Sequence, residues 1–344
     1  MKHFCLTLLL IAALVPFSPA QIPTTRLPVT KLIDESRSVL PTSTTPVPEP
    51  LTRPLNETLD DMVAPETKAV VLGTGYGFCE GPAADPVGNI YFSDGKKDSI
   101  FFYAYGRPVE LFTDKSTDAN GMMMNAAGEL VVCEGAAYRL VAINTRTGER
   151  RELTQGIDGG RFNEPNDVTL DAWNGVYFTD PNYKHRGQET VRKEDTYYTA
   201  ADGTTTRVST VCKKPNGVLL SKGSKILYLA DNGGKCVYRY DVTGPGKLEN
   251  EQLFVKTEGG PDGMTEDIYG NLYVACGGTG IEVFRPNGTK IGIIGKDYGI
   301  PYASNIVFGG PNRQCLYITS IDKFLGIEMK VRGMNPYCSA VTAP

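Results

Sequence analysis

One short apolar segment recurs six times along the chain, and this limits the possible fold more than any other feature. The copies are Gly88-Asn-Ile-Tyr-Phe-Ser-Asp94, Gly128-Glu-Leu-Val-Val-Cys-Glu134, Gly175-Val-Tyr-Phe-Thr-Asp180, Lys225-Ile-Leu-Tyr-Leu-Ala-Asp231, Gly270-Asn-Leu-Tyr-Val-Ala-Cys276 and Gln314-Cys-Leu-Tyr-Ile-Thr-Ser320. With Tyr91, Val131, Tyr177, Tyr228, Tyr273 and Tyr317 aligned, the steps are 40, 46, 51, 45 and 44 residues. A period of about 40 to 50 residues built from several short strands is the pattern of propeller blades. Further apolar runs follow each copy, such as residues 99–103 and 109–112, with Gly, Asn and Asp clusters between them. No stretch carries a long 3.6-residue apolar period. Four strands per unit and six units predict an all-β, six-bladed β-propeller.

Outside the repeats the chain changes character. Residues 1–20 have a basic start, an apolar run and small residues at Ser18 and Ala20, which reads as a signal peptide cleaved after Ala20 and so as a secreted protein. Residues 21–65 are rich in Pro and Thr with no apolar period and read as an extended linker. The propeller is expected over 66–341. The sequons Asn56-Glu-Thr58 and Asn287-Gly-Thr289 fit secretion. The chain holds 35 Lys and Arg against 39 Asp and Glu, and losing Lys2 brings the net charge to about −5, with no basic run. Nucleic acid and anionic membranes are thereby disfavoured as partners, and nothing requires more than a monomer.

Histidine and cysteine narrow the chemistry. Of the two His, His3 leaves with the signal and only His185 stays. Multi-His metal sites are excluded, and a Ser-His-Asp hydrolase lacks its G-x-S-x-G elbow. Of the eight Cys, Cys5 also leaves. Cys133 and Cys276 lie in apolar strand contexts, Cys315 and Cys338 are the pair expected to form a disulfide, and no CxxC supports a thiolate zinc site. Catalysis must rest on carboxylates, amides and a hard metal.

Counting back eleven or twelve residues from each aligned position reaches Glu80, Asn120, Asn166, Asn216, Asp262 and Asn305 in turn. Every one carries a carboxylate or carboxamide, and each would open the innermost strand of its blade, where side chains line the central channel. A turn motif copied by duplication explains the amides. It explains less well the two acids, Glu80 and Asp262, whose charges would converge in one narrow channel without a cation to offset them. Glu80 and Asp262 with Asn166 and Asn216 form an oxygen-only donor set that suits Ca²⁺, tolerates Mg²⁺ or Mn²⁺, and disfavours Zn²⁺.

The motifs Cys79-Glu-Gly-Pro82, Arg161-Phe-Asn-Glu-Pro-Asn-Asp167 with Tyr177-Phe-Thr-Asp-Pro181, Pro215-Asn-Gly217, Pro261-Asp-Gly-Met264 and Ser304-Asn-Ile-Val-Phe-Gly-Gly310 occur in this order. Together they resemble the gluconolactonase, regucalcin and luciferin-regenerating-enzyme family, across about residues 66–335. The resemblance implies a propeller whose channel holds one divalent cation on Glu80, Asn166, Asn216 and Asp262 and which hydrolyses sugar lactones or related esters. It also implies that Asp262 accepts a proton from the attacking water, while Asn120 and Asn305 bind substrate hydroxyls. Arg161 is read either as steadying a substrate carbonyl or carboxylate, or as a blade-packing arginine. The chain departs from the resemblance at Cys133-Glu-Gly135, where bacterial gluconolactonases tend to carry Cys-Glu-His. Two other readings stand beside the lactonase: a phosphotriester hydrolase using the same metal and Asp262, and a non-catalytic propeller around a structural cation.

Overall fold

The computed structural model describes residues 58–183 and 191–334. Residues 1–57, with the signal peptide, Asn56 and most of the expected linker, lie outside the described residues, as do His185 and Cys338. At the linker's end Leu59–Asp61 forms a short 3₁₀ turn, and Met62 and Val63 are fully buried against blades five and six. Among the described residues are six four-stranded antiparallel sheets and, apart from short 3₁₀ turns, no helix.

Five sheets are simple meanders. Blade one comprises Cys79–Ala84, Ile90–Asp94, Ser99–Tyr103 and Glu110–Thr113; blade two runs from Ala119–Met124 out to Arg150–Thr154. Blade three spans Val168–Leu170 to Thr205–Ser209, blade four Pro215–Leu220 to Lys247–Lys256, and blade five Met264–Glu266 to Lys290–Ile294. Blade six differs. Its strands Asn305–Gly309, Cys315–Ser320 and Lys323–Glu328 take their fourth, outermost member from the other end of the sequence, as Val70–Thr74 pairs antiparallel with Lys323–Glu328.

The repeated apolar segment forms the second strand of every blade, and its composition follows from that position. Tyr91 packs with Met122 and Val141 of blade two, whereas its neighbours Ile90 and Phe92 pack with Tyr317 and Phe324 of blade six. Both faces of the strand are therefore buried, which is why it reads as a continuous apolar run instead of alternating with polar residues. Six apolar clusters fill the six interfaces between neighbouring blades, including the one between blades six and one, so the circle is closed.

In four blades the hairpin after the inner strand has its own local cause. Asp85, Asn125, Asp171 and Asp267 each accept the N–H groups two and four residues ahead through one side-chain oxygen, at 2.6–3.0 Å. These Asx turns satisfy backbone donors that the reversal of direction would otherwise strand. Cys79, Cys133, Cys212, Cys236 and Cys276 are free and buried, and Cys315 is free and partly buried.

Candidate metal centre of the channel

The six polar residues found by spacing stand at or just before the start of the six inner strands. Contacts between adjacent blades join them into a circle. Ser93 Oγ donates to the Asn120 carbonyl at 3.0 Å, Gly121 N to the Asn166 carbonyl at 2.7 Å and Thr179 Oγ1 to the Asn216 carbonyl at 2.7 Å. A Cβ on Gly217 would lie 2.0 Å from the Asp262 carbonyl oxygen. Gly263 N donates to the Ser304 carbonyl at 3.0 Å, and Ser304 Oγ to the Cys79 carbonyl at 3.0 Å, which completes the turn beside Glu80. The inner strands then run on to line a narrow channel, to which Ala83, Met122, Val168, Val218, Met264 and Ile306 contribute one from each blade.

So close an approach of six strands leaves no room for a side chain at the next position of four of them. Four of the six ring residues are followed by glycine: Gly81, Gly121, Gly217 and Gly263. A Cβ on Gly81 would fall 2.0 Å from the Asn120 carbonyl oxygen, and one on Gly263 would fall 1.8 Å from Asn305 Oδ1. In blade three the position is Asp167, whose Oδ1 occupies the space a Cβ on Gly121 would need. Asp167 is buried, accepts the Val218 N–H at 3.1 Å and faces the channel. Spacing alone did not single it out, although a carboxylate where four other blades have glycine is a signal the sequence carries.

Electrostatics concentrate at Asp262. Glu80, Asn166, Asn216 and Asn305 are buried, whereas Asp262 and Asn120 keep partial exposure. Burial drives the Asp262 pKa well above the usual carboxylate range, and the charges of Glu80 and then Asp167 push the same way. Hydrogen bonds from the Asn216 amide and Gly263 N–H oppose the shift without cancelling it. Asp167 is pushed up to about 7, mainly by burial. Three carboxyl groups thus share one desolvated space. The Asn216 side chain gives its amide to Asp262, while its Oδ1 is buried with no hydrogen-bond partner. A buried carbonyl oxygen left unpaired beside mutually repelling carboxylates is what a cation site looks like before the ion is added. Among the described residues no three His, Cys, Asp or Glu side chains converge as a metal site, so a ligand set here draws on amides as well as acids. The residues fit a hard divalent cation.

The expected substrate contacts separate. Asn305 Oδ1 accepts the Ile306 N–H at 2.8 Å, and Asn120 lies beside Gly81, so both belong to the ring. Arg161 is exposed, stacks its guanidinium 3.9 Å above the Tyr138 ring and donates to the Phe162 and Asn163 carbonyls. These are the contacts of a packing arginine, and they favour that reading of the two. Two tyrosines not anticipated flank the acids. Tyr302 has its pKa raised by burial and then by the charges of Asp262 and Glu80, and Tyr183, raised further, feels Asp262 after burial. The Tyr183 hydroxyl is buried without a hydrogen-bond partner. Neither tyrosine occupies a repeat position, so no periodicity could mark it.

Comparison with known proteins agrees with this fold. A gluconolactonase from Zymomonas mobilis is 27% identical over 305 residues, covering 80% of this chain and 85% of its own. The diisopropyl-fluorophosphatase of Loligo vulgaris is 28% identical over 243 residues, covering 61% of this chain and 75% of its own. Among solved structures, regucalcin from Agrobacterium tumefaciens shares the fold, with a TM-score of 0.64 at 18% identity over 77% of this chain and 94% of that one. Residues 78–322, from the approach to the first ring residue to the end of the sixth blade's second strand, match the SMP-30/Gluconolactonase/LRE-like region, and the chain belongs to that family.

Proposed function

We propose that this propeller is a secreted, Ca²⁺-dependent hydrolase of sugar lactones or related cyclic esters. The observation that carries the reading is the ring itself, in which Glu80 and Asp262 are brought together with an unpaired, buried Asn216 Oδ1. Glu80, Asn166, Asn216 and Asp262 would hold the cation, and the Zymomonas gluconolactonase supports the substrate class. The oxygen-only donor set supports calcium, as does the description of the Agrobacterium regucalcin as a calcium-binding protein.

When bound, the ion supplies Lewis-acid stabilisation of the charge that develops on the lactone carbonyl oxygen. The chain's own groups do the rest. Asp262, the partly exposed acid of the ring, takes the proton of the attacking water. Asn120 and Asn305 offer amides to substrate hydroxyls. The charges of buried Glu80 and Asp167 beside Asp262 raise its affinity for that proton, which it then passes to the oxygen released when the lactone ring opens. Secretion rests on residues 1–20 and requires a chain beginning at Gln21 in the medium.

Lactones, aryl esters and phosphotriesters, offered to the purified protein with and without chelator, test the reading. The wild type should hydrolyse a lactone, lose this on chelation, and recover it with calcium, while Asp262→Ala should lose at least about a hundredfold, as expected on removing a general base. Activity that survives both treatments would falsify the proposal. The similarity to the Loligo fluorophosphatase favours one second reading, phosphotriester hydrolysis at the same ring, and turnover confined to that substrate would establish it. Calcium that raises the melting temperature with no turnover on any substrate would favour a structural ion.

A further inference from the structure

Each ring residue is reached through a short entry segment, and what holds that segment differs between blades. Before Glu80, the Asp94 carboxylate accepts Gly77 N on one oxygen at 2.7 Å and Phe78 N on the other at 3.0 Å. Before Asn166, Asp180 takes Asn163 N and Glu164 N in the same way, at 2.8 and 2.7 Å. Before Asn216, Asp231 Oδ1 accepts Lys214 N at 2.9 Å. Blade five ends its second strand near Cys276, and Glu282 from the third strand reaches across instead, accepting Glu258 N at 2.8 Å and Gly259 N at 3.3 Å ahead of Asp262. These four carboxylates are at most 1% exposed.

Among the described residues the other two blades lack the device. Ahead of Asn120, the backbone at Asp118 is held by exposed Asp98 at 2.8 Å, while buried Glu134, at the end of blade two's second strand, is paired with Arg139 and Arg150. At Asn305 the Thr319 hydroxyl accepts the backbone N–H at 3.0 Å. Buried carboxylate clamps therefore occur in the four blades that carry Glu80, Asn166, Asn216 and Asp262, and not in the two whose amides are left outside the ligand set.

We propose that Asp94, Asp180, Asp231 and Glu282 are positioning residues that fix the backbone two to four residues ahead of each cation ligand, so that the four ligand oxygens converge before the ion arrives. The inference rests on the metal reading of the ring. Its physical basis is the acceptor count. Two convergent N–H groups on two separate oxygens require two acceptors, which an ionised carboxylate has and a carboxamide lacks. Asn at 94 or 180 would turn an NH₂ toward one backbone donor and push the entry segment away. Asp231 takes its two N–H groups, from Lys214 and Gly234, on a single oxygen, so Asn at 231 keeps an acceptor there.

Calorimetric titration of the purified chain with Ca²⁺ alone, alongside thermal melting in chelator, separates positioning from plain stability. Asp180→Asn should weaken calcium affinity about tenfold or more, the range seen when groups behind a metal ligand are removed. Asp231→Asn should cost only a few-fold. Glu134→Gln, which breaks a buried ion pair in an unclamped blade, should lower the melting temperature and leave affinity within about twofold. If Asp180→Asn does not fold, Asp94→Asn is read in its place, and Asp231→Asn in turn. The proposal is overturned if a folded clamp variant melts lower in chelator yet binds calcium as the wild type does, or if Glu134→Gln loses affinity equally. A wild type that binds no calcium sinks the metal reading itself, and the positioning role with it.

Discussion

Asp167 and Asp262 hold their protons more tightly in the fold than in the unfolded chain, because burial penalises the charged form and their charges repel. A carboxyl group raised from 3.8 to about 7, as Asp167 is, stabilises the cation-free protein fully below the unfolded pKa. The contribution is lost as pH rises through the folded value, because the native state then binds more protons than the unfolded one. In chelator, the melting temperature should therefore fall between about pH 4 and about pH 7, with a shallower fall in Asp167→Asn. Saturating calcium should remove the slope, because the ion takes over the role of the protons, and its own affinity should fall as pH drops below about 7, where Asp167 takes up its proton. A chelated profile that is flat or rises with pH would contradict this account of the ring.

At the scale of strands, the channel is narrow because glycine follows the ring residue in four blades. Gly217→Ala would bring a Cβ to 2.0 Å from the Asp262 carbonyl oxygen, and both groups belong to backbones pinned by neighbouring blades. A loss of about 1–3 kcal/mol is expected from such overpacking, read as a lower denaturant midpoint. Gly278→Ala, which meets nothing within 4 Å, should leave the midpoint within about 0.5 kcal/mol. The same narrowness explains what could be read in advance. The second strands announced themselves because both faces are buried, as with Ile90, Tyr91 and Phe92, and the ring because its distance from them barely varies. Spacing marked the places of Asp167, where four blades have glycine, and of Asp94, Asp180 and Asp231, each three residues after an aligned tyrosine. Their roles, like those of Tyr183 and Glu282, were not legible because they depend on contacts that only the folded chain makes. Arg161 allowed two readings from sequence, a carbonyl or carboxylate contact or a packing arginine, and the Tyr138 ring beneath it favours the second.

Across the whole molecule, the circle is held at one seam, where Val70–Thr74 completes blade six against Lys323–Glu328. Leu72 packs there against the cluster shared by blades six and one, which includes Phe92 and Phe324. A chain beginning at Gly75 would leave Lys323–Glu328 as a bare sheet edge. Its melting should lose cooperativity and the protein should self-associate on gel filtration, whereas a chain beginning at Thr58 should behave as the full-length one. The seam also sets a timetable. On the ribosome Val70–Thr74 is made before any other strand of the propeller, and its partner is made last. Five sheets can form as they emerge, but the first strand must wait, unpaired, for nearly the whole domain. Joining the two ends carries the largest loop-closure cost in the molecule, so the last event in folding brings together the earliest and latest parts of the chain.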